Sequence, residues 1–220
     1  MQTTRAPLLV LALGAALMTA TPCRGGPNAG GVIILHCNEA VEFTSPSYDY
    51  CGQAALAGCS EADSRVDRTT PAVFFALAAF PDTSSPRLVG ISFGISYSAH
   101  LNLVGWGFCA DSAVEDSAWP QSGTGATVFW LEPQTDLLKE FYWFAAYDYS
   151  AVPAQFGLAA NPSEGGWFGS DQSWGGFDAI AGYGSLGFFM DGHNPCEVHP
   201  GGVPAEKTTW GRLKSTYRGP

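Results

Sequence analysis

The sequence predicts an all-β protein: an antiparallel β-sandwich, jelly-roll-like or Ig-like, with a flexible C-terminal tail. Three observations predict it. The 220 residues include 27 Gly and 29 aromatic residues (14 Phe, 7 Trp and 8 Tyr), a mixture that disfavours helix and suits sheet. Apolar runs rich in β-branched and aromatic residues recur along the chain, with Gly, Pro, Asp and Ser between them, the pattern of strands joined by turns. No long segment carries a convincing apolar stripe at helical period, so strands without intervening helices favour an antiparallel sandwich over a parallel α/β sheet. With 14% charged and 46% hydrophobic residues, the chain is not intrinsically disordered. A net charge of −10 excludes nucleic acid as a partner bound through phosphate contacts.

The first element is an export signal over residues 1–25. Arg5 precedes a 12-residue apolar run at 7–18 (PLLVLALGAALM), and the small residues Thr19, Ala20 and Thr21 follow, which is the order of a secretory signal peptide. A transmembrane anchor needs about 20 apolar residues, so none is expected. Cleavage is expected between Ala20 and Gly26. Cys23 raises lipidation, but Pro22 stands where a small residue is needed. The mature chain is therefore expected outside the cytoplasm: extracellular, at the cell surface or periplasmic.

The strands follow in order. Residues 31–36 (GVIILH), 71–80 (PAVFFALAAF), 87–97 (RLVGISFGISY), 101–108 (LNLVGWGF), 126–131 (ATVFWL) and 140–147 (EFYWFAAY) read as strands, and 155–159 and 185–190 as weaker ones. Leu138, Phe141 and Ala145 share a helical face, but the β-aromatic density of FYWF favours strand there. The expected core includes Phe74, Leu77, Val89, Ile91, Phe93, Val104, Val128, Trp130, Tyr142 and Phe144, with some of these facing outward if one sheet face is solvated. The sandwich is assigned to residues 26–193, a Gly- and Pro-containing linker to 194–204 (NPCEVHPGGVP), and a basic tail to 205–220.

Export makes disulfides the default for cysteines. Cys51 and Cys59 enclose a short GQAALAG segment and form the expected local pair. Cys109 and Cys196 form the expected long-range pair, and Cys37 is the odd one out, free or paired with Cys23 if cleavage leaves Cys23 in the mature chain. Spacing alone leaves the connectivity open.

Candidate chemistry is sparse. Gly90-Ile91-Ser92-Phe93-Gly94 matches a G-x-S-x-G nucleophile pattern, which has meaning only at a sharp strand-to-helix turn. Here the run continues through Ile95 and Tyr97, so strand glycines that allow close approach or a bulge are the simpler reading. His193, Cys196, Glu197 and His199, with Asp191, are metal-ligand types without a recurrent zinc spacing. Glu61, Asp63 and Asp67 are no EF-hand loop, and Arg65 and Arg68 among them suggest ion pairing. No metal site, cofactor or catalytic residue is assigned. Glu132, Glu140, Asp148, Asp171 and Asp178 lie near aromatics, and two of them facing each other would suit a secreted carbohydrate-active enzyme, which is the alternative reading. Residues 165–189 hold eight Gly and seven aromatics. Trp167, Asp171, Gln172 and Trp174 there form a weak candidate carbohydrate site, against the simpler view that these aromatics fold over the core as a lid.

Charge is unevenly placed. Residues 25–204 carry 19 acidic and 4 basic side chains, and residues 205–220 carry Lys207, Arg212, Lys214 and Arg218 against Glu206. In the tail, Trp210, Leu213 and Tyr217 fall at i, i+3 and i+7, which a short helix would place on one face with Arg212, Lys214 and Arg218 around it. So short a helix with an internal Gly is unstable alone in water, which makes the segment a docking element awaiting a partner.

The tail TTWGRLKSTYR, with GVIILH, FPDTSSPRLVGISFGISY and EFYWFAAYDY, resembles a set of exported bacterial proteins without an assigned activity that share a W-G-x-x-K-x-x-Y-R ending. That resemblance implies a portable C-terminal address, read by a cell-surface or sorting partner, and places Cys37 outside the shared pattern. The expected function is thus an exported sandwich of binding, adhesion or cell-surface structural type.

Overall fold

The computed structural model describes residues 25–172 and 176–197. The strands are β1 (Val32–Glu42), β2 (Arg65–Val66), β3 (Ala72–Ala79), β4 (Leu88–Tyr97), β5 (Asn102–Phe108), β6 (Ser112–Glu115), β7 (Gly125–Gln134), β8 (Leu138–Tyr147), β9 (Ala154–Ala159), β10 (Trp167–Ser170), β11 (Phe177–Ala179) and β12 (Ser185–Phe188). Two single-turn 3₁₀ helices, η1 (Cys59–Glu61) and η2 (Pro195–Glu197), complete the described elements. The predicted all-β sandwich is the observed fold. The signal segment and the tail, including Trp210, Arg212, Leu213, Lys214, Tyr217 and Arg218, lie outside the described residues.

A small sheet of order β1-β3-β8-β5 packs on a larger one of eight strands. In the larger sheet β4 is central. It pairs with β7 along one edge, and with β10 and then β9 along the other. β6 extends the β7 side, β11 the β10 side, and β12 and β2 the β9 side. All pairs are antiparallel except β12 with β2.

The core between the sheets is aromatic. Phe74, Phe93, Phe141, Tyr142, Phe144, Phe156, Phe168 and Phe188 are fully buried, and neighbouring rings meet at 4.9 Å for Phe93–Phe141 and Phe144–Phe156. Such contacts add roughly 0.5–1.5 kcal/mol each beyond area burial. Trp119 Nε1–H donates to the Tyr142 hydroxyl at 2.8 Å, and that hydroxyl donates to Glu115 at 2.5 Å. Burial beside the Glu115 carboxylate drives the Tyr142 phenol well above its ordinary pKa. Of the expected core, Phe74, Ile91, Phe93, Val128, Trp130, Tyr142 and Phe144 lie between the sheets. Leu77 and Val104 belong instead to a second cluster on the outer face of the small sheet, and Val89 is only partly buried.

That second cluster explains why every residue of β3 is buried, as its unbroken apolar run requires. The β1–β2 connection, residues 43–64, lies over the small sheet. Tyr50 packs edge-on against Trp143 at 4.7 Å, and Ile34, Val73, Phe75 and Leu77 pack in the same cluster. Glycines at 105 and 107 make room for Trp143: a Cβ at Gly107 would sit 2.5 Å from its Nε1.

Two disulfides fasten this cover, and they correct the expected pairing. Cys51 bonds to Cys109 and Cys59 to Cys196, with Cα–Cα distances of 5.5 and 5.9 Å. Cys51 pairs outside its own loop because that loop crosses the sheet to the end of β5, where Cys109 stands. Among the described residues Cys37 is the free thiol, buried, with its pKa pushed up to about 11 by desolvation.

Three further expectations change. The stretch 165–189 is not a lid: it supplies β10, β11 and β12 to the large sheet. Its glycines serve close approach, since a Cβ at Gly187 would lie 2.2 Å from the Met190 carbonyl. The linker expected at 194–204 overlaps the fold, because Asn194 is buried, its Nδ2 donates to the Cys59 carbonyl at 2.8 Å, and Cys196 is bonded. β2, β6, β10 and β11 are added to the strands read from the sequence. Among the described residues no helix is long and apolar enough to cross a membrane.

Candidate functional site

Four of the five carboxylates read as candidate acids are engaged within the fold. Asp178 accepts from the amides of Gly26 (2.6 Å) and Asn28 (3.0 Å), tying the start of the described chain to β11. Asp171 forms a two-pronged ion pair with Arg87, which holds its carboxyl below the usual range. Asp148, buried after β8, accepts from the Ser150 amide (2.8 Å) and hydroxyl (2.5 Å) and lies 3.3 Å from His100 Nε2. Those hydroxyl and amide bonds keep its carboxyl low. Glu132 is exposed on β7.

Glu140 clamps the cover to β8. Its oxygens accept from the amides of Gly52 (2.9 Å) and Ala54 (3.2 Å), and one lies 3.2 Å from Cys109 Sγ. Burial raises the Glu140 carboxyl above its ordinary value, with the two amides opposing. It borders a shallow open depression with Ala54, Ala55, Leu56, Ala57, Leu77, Asp136 and Leu138. Asp136 and Glu140 both reach it, but each Glu140 oxygen is taken by a backbone amide, and no aromatic lines the wall for a sugar to stack on. Glu140 also sits against Cys51 and Cys109 in a cluster of metal-ligand types. With both sulfurs joined to each other, that cluster has no thiolate to offer a metal.

The serine of G-x-S-x-G lies in mid-strand on β4, in register with Thr127 and Trp167 and fully buried. The two glycines flanking it answer to packing. A Cβ at Gly94 would stand 2.6 Å from the Ala160 carbonyl, and one at Gly90 would stand 3.2 Å from the Phe129 ring.

Those glycines floor the outer face of the large sheet, where the remaining candidate residues meet. Phe129 lies beside Gly90, and Trp167 beside Gly169. Trp167 meets Phe177 edge-on at 4.6 Å, and Phe177 is 66% exposed. Phe129, Leu131 and Val114 add exposed apolar surface on β7 and β6. Thr127 donates to Glu164 at 3.0 Å in the same face, and the neighbouring Ser92 hydroxyl has no partner. Of the predicted ligand set, Trp167 is on this face, while Asp171 is bound to Arg87 and Gln172 is exposed in the turn after β10. Trp174 lies outside the described residues. Phe129 and Leu131 were missed, although period-two parity along ATVFWL separates them from the buried Val128 and Trp130. In the loop candidate for a metal, Cys196 is in a disulfide and Asp191 pairs with Arg65 at 2.7 Å. His199 lies outside the described residues.

No protein-family model matches the sequence, and no curated protein matches it. Among solved structures, the chain is similar to a cohesin module of a Clostridium perfringens family 33 glycoside hydrolase, at 10% identity and a TM-score of 0.47, covering 72% of this chain and 94% of that one. It is similar to a non-cellulosomal cohesin from the archaeon Archaeoglobus fulgidus, at 7% identity and a TM-score of 0.44, covering 74% of this chain and 93% of that one. It is also similar to the sixth cohesin of scaffoldin B from Acetivibrio cellulolyticus, determined in complex with a dockerin, at 8% identity and a TM-score of 0.44, covering 59% and 94%. Likeness at this level is one of sandwich architecture alone.

Proposed function

We propose that this chain is an exported binding or adhesion module of the cell surface, with segment 205–220 acting as its docking or sorting element. The observation that supports this reading most is the contrast between the acids and the aromatics. The acids at 140, 148, 171 and 178 are committed to holding loops and termini, whereas Phe129 and Phe177 stand exposed on the large sheet with Trp167 half-buried beside them. Exposed aromatics on a fixed scaffold suit recognition; carboxylates saturated by backbone amides do not suit acid–base chemistry. The two disulfides agree with an oxidising compartment outside the cytoplasm.

Burying Trp210, Leu213 and Tyr217 on a partner yields roughly 1.5–3 kcal/mol each, less the cost of ordering the segment. All three are therefore needed for a usable address. The test is fractionation of cells making the full chain or a variant lacking residues 205–220. The full chain is expected in the envelope fraction, and the variant in the medium. Equal envelope retention of both would overturn the docking role.

A further inference from the structure

We propose that the free edge of β5 is the seat of the chain's own segment 205–220, which adds there as an extended strand while no outside partner holds it. The proposal rests on the reading of that segment as adhesive and goes beyond it by giving it a place on the body.

The other sheet edges are protected. Along β1, the Ile33 amide donates to the Gly182 carbonyl (3.0 Å), the Gly184 amide to the Ile33 carbonyl (2.7 Å), and the Cys37 amide to the Asp63 carbonyl (2.9 Å). On the large sheet, the outermost strands β2, β6 and β11 have two, four and three residues. β5 has seven residues, NLVGWGF, with no charge and no proline, and among the described residues no backbone group pairs with its outer side. Proteins rarely leave so long and apolar an edge unguarded, because it templates pairing with another strand.

The register says which groups are on offer. The Cys109 amide donates to the Phe141 carbonyl, and Gly107 and Gly105 stand opposite Trp143 and Ala145 in the same register. By antiparallel alternation those residues bond to β8, and Trp106 and Phe108 turn their N–H and C=O groups to the open side. The two residues are 40% and 43% exposed. Only the Phe108 carbonyl has a neighbour there, Cys51 Sγ at 3.5 Å.

Charge and reach select the occupant. Asp111, Glu115 and Asp116 follow β5 along the chain, and Asp49 and Glu140 flank the Cys51–Cys109 bridge at its end. The described cations are Arg65, Arg68, Arg87 and Lys139, none of them on β5, β6 or the turns beside them. A cationic strand is therefore favoured. Read at period two, the tail places Leu213 and Tyr217 on one face and Trp210, Arg212, Lys214 and Arg218 on the other. The first face continues the row of Trp106 and Phe108, and the second lies on the side of Glu140 and Asp49. The described chain ends at Glu197 in η2, beside β1. Three strand spacings separate β1 from β5, about 14 Å, and the ten residues 198–207 span up to about 33 Å. This is strand addition by a tethered peptide.

Amide hydrogen exchange on the mature full chain tests it, compared with a Trp210→Ala/Leu213→Ala/Tyr217→Ala variant, which cannot disturb the sandwich directly. The amides of Trp106 and Phe108 are expected to exchange at least about tenfold faster in the variant, while those of Gly105 and Gly107 stay as they were. Equal exchange at Trp106 and Phe108 in both proteins would overturn the proposal. So would protection that rises with protein concentration alongside a dimer in sedimentation, since a second copy would then be the occupant. Loss of the seat leaves envelope retention by the tail intact; loss of the docking role leaves the exchange difference intact, so the two failures are distinguishable.

Discussion

The two sheets present opposite outer faces. The small sheet hides its face under residues 43–64, sealed by Tyr50, clamped by Glu140 and fastened by two disulfides. The large sheet leaves Phe129, Leu131 and Phe177 in the open. The difference teaches where stability and recognition reside. One face carries apolar side chains that contribute to folding, and the other carries apolar side chains that folding leaves unused.

Three measurements sharpen that contrast, and the largest effect is expected from the cover's fastenings. The loops closed by the disulfides span 58 and 137 residues, for which chain entropy assigns about 4 and 5 kcal/mol as upper values. Calorimetry under reducing conditions should show a large fall in melting temperature, with Cys59→Ala/Cys196→Ala costing more than Cys51→Ala/Cys109→Ala. The reverse order would mean that the cover, rather than the length of chain closed, sets the stabilisation.

Next comes a matched pair of aromatic truncations. Tyr50→Ala empties a fully buried site in the cover and should cost roughly 3–5 kcal/mol in denaturant unfolding. Phe177→Ala, on the open face, should stay within about 0.5 kcal/mol. If Phe177→Ala proved as costly as Tyr50→Ala, the open face would be structural.

The smallest effect concerns pH. Because burial raises the Glu140 carboxyl in the folded state, its contribution is fully present below the unfolded value and is lost as pH rises through the folded one. Glu140→Gln still offers one acceptor to the Gly52 or Ala54 amide. It should remove this downward component just above the ordinary glutamate range, as followed by thermal melts across pH 4 to 7. An unchanged pH profile would show that the clamp does not titrate with folding.

Much of the framework was legible in the sequence because period-two patterning is local. The runs at 71–80, 87–97 and 140–147 became β3, β4 and β8, and parity along ATVFWL was enough to tell Trp130 from Phe129. β6, β10 and β11 were not legible: three or four residues are too few for alternation to register. The disulfide pairing failed for a different reason. Cys51 meets Cys109 only because the chain after β1 crosses the face of the small sheet, and no local signal encodes the destination of a loop. The linker at 194–204 failed likewise, since Gly and Pro there read as loose chain, while Asn194 and Cys196 were held by partners more than a hundred residues away.

The Cys59–Cys196 bond also has a mechanical meaning. A pull on the tail, delivered at residue 197, enters the covalent bridge and passes to Cys59, so the 137-residue span between them carries none of the tension. The strands from β2 to β12 sit within that shielded span. Between the start of the described chain and the tail, the load-bearing route runs only through β1 and the cover. Force along that route would load the pairing of β1 with β3 before any strand pair inside the bridged span.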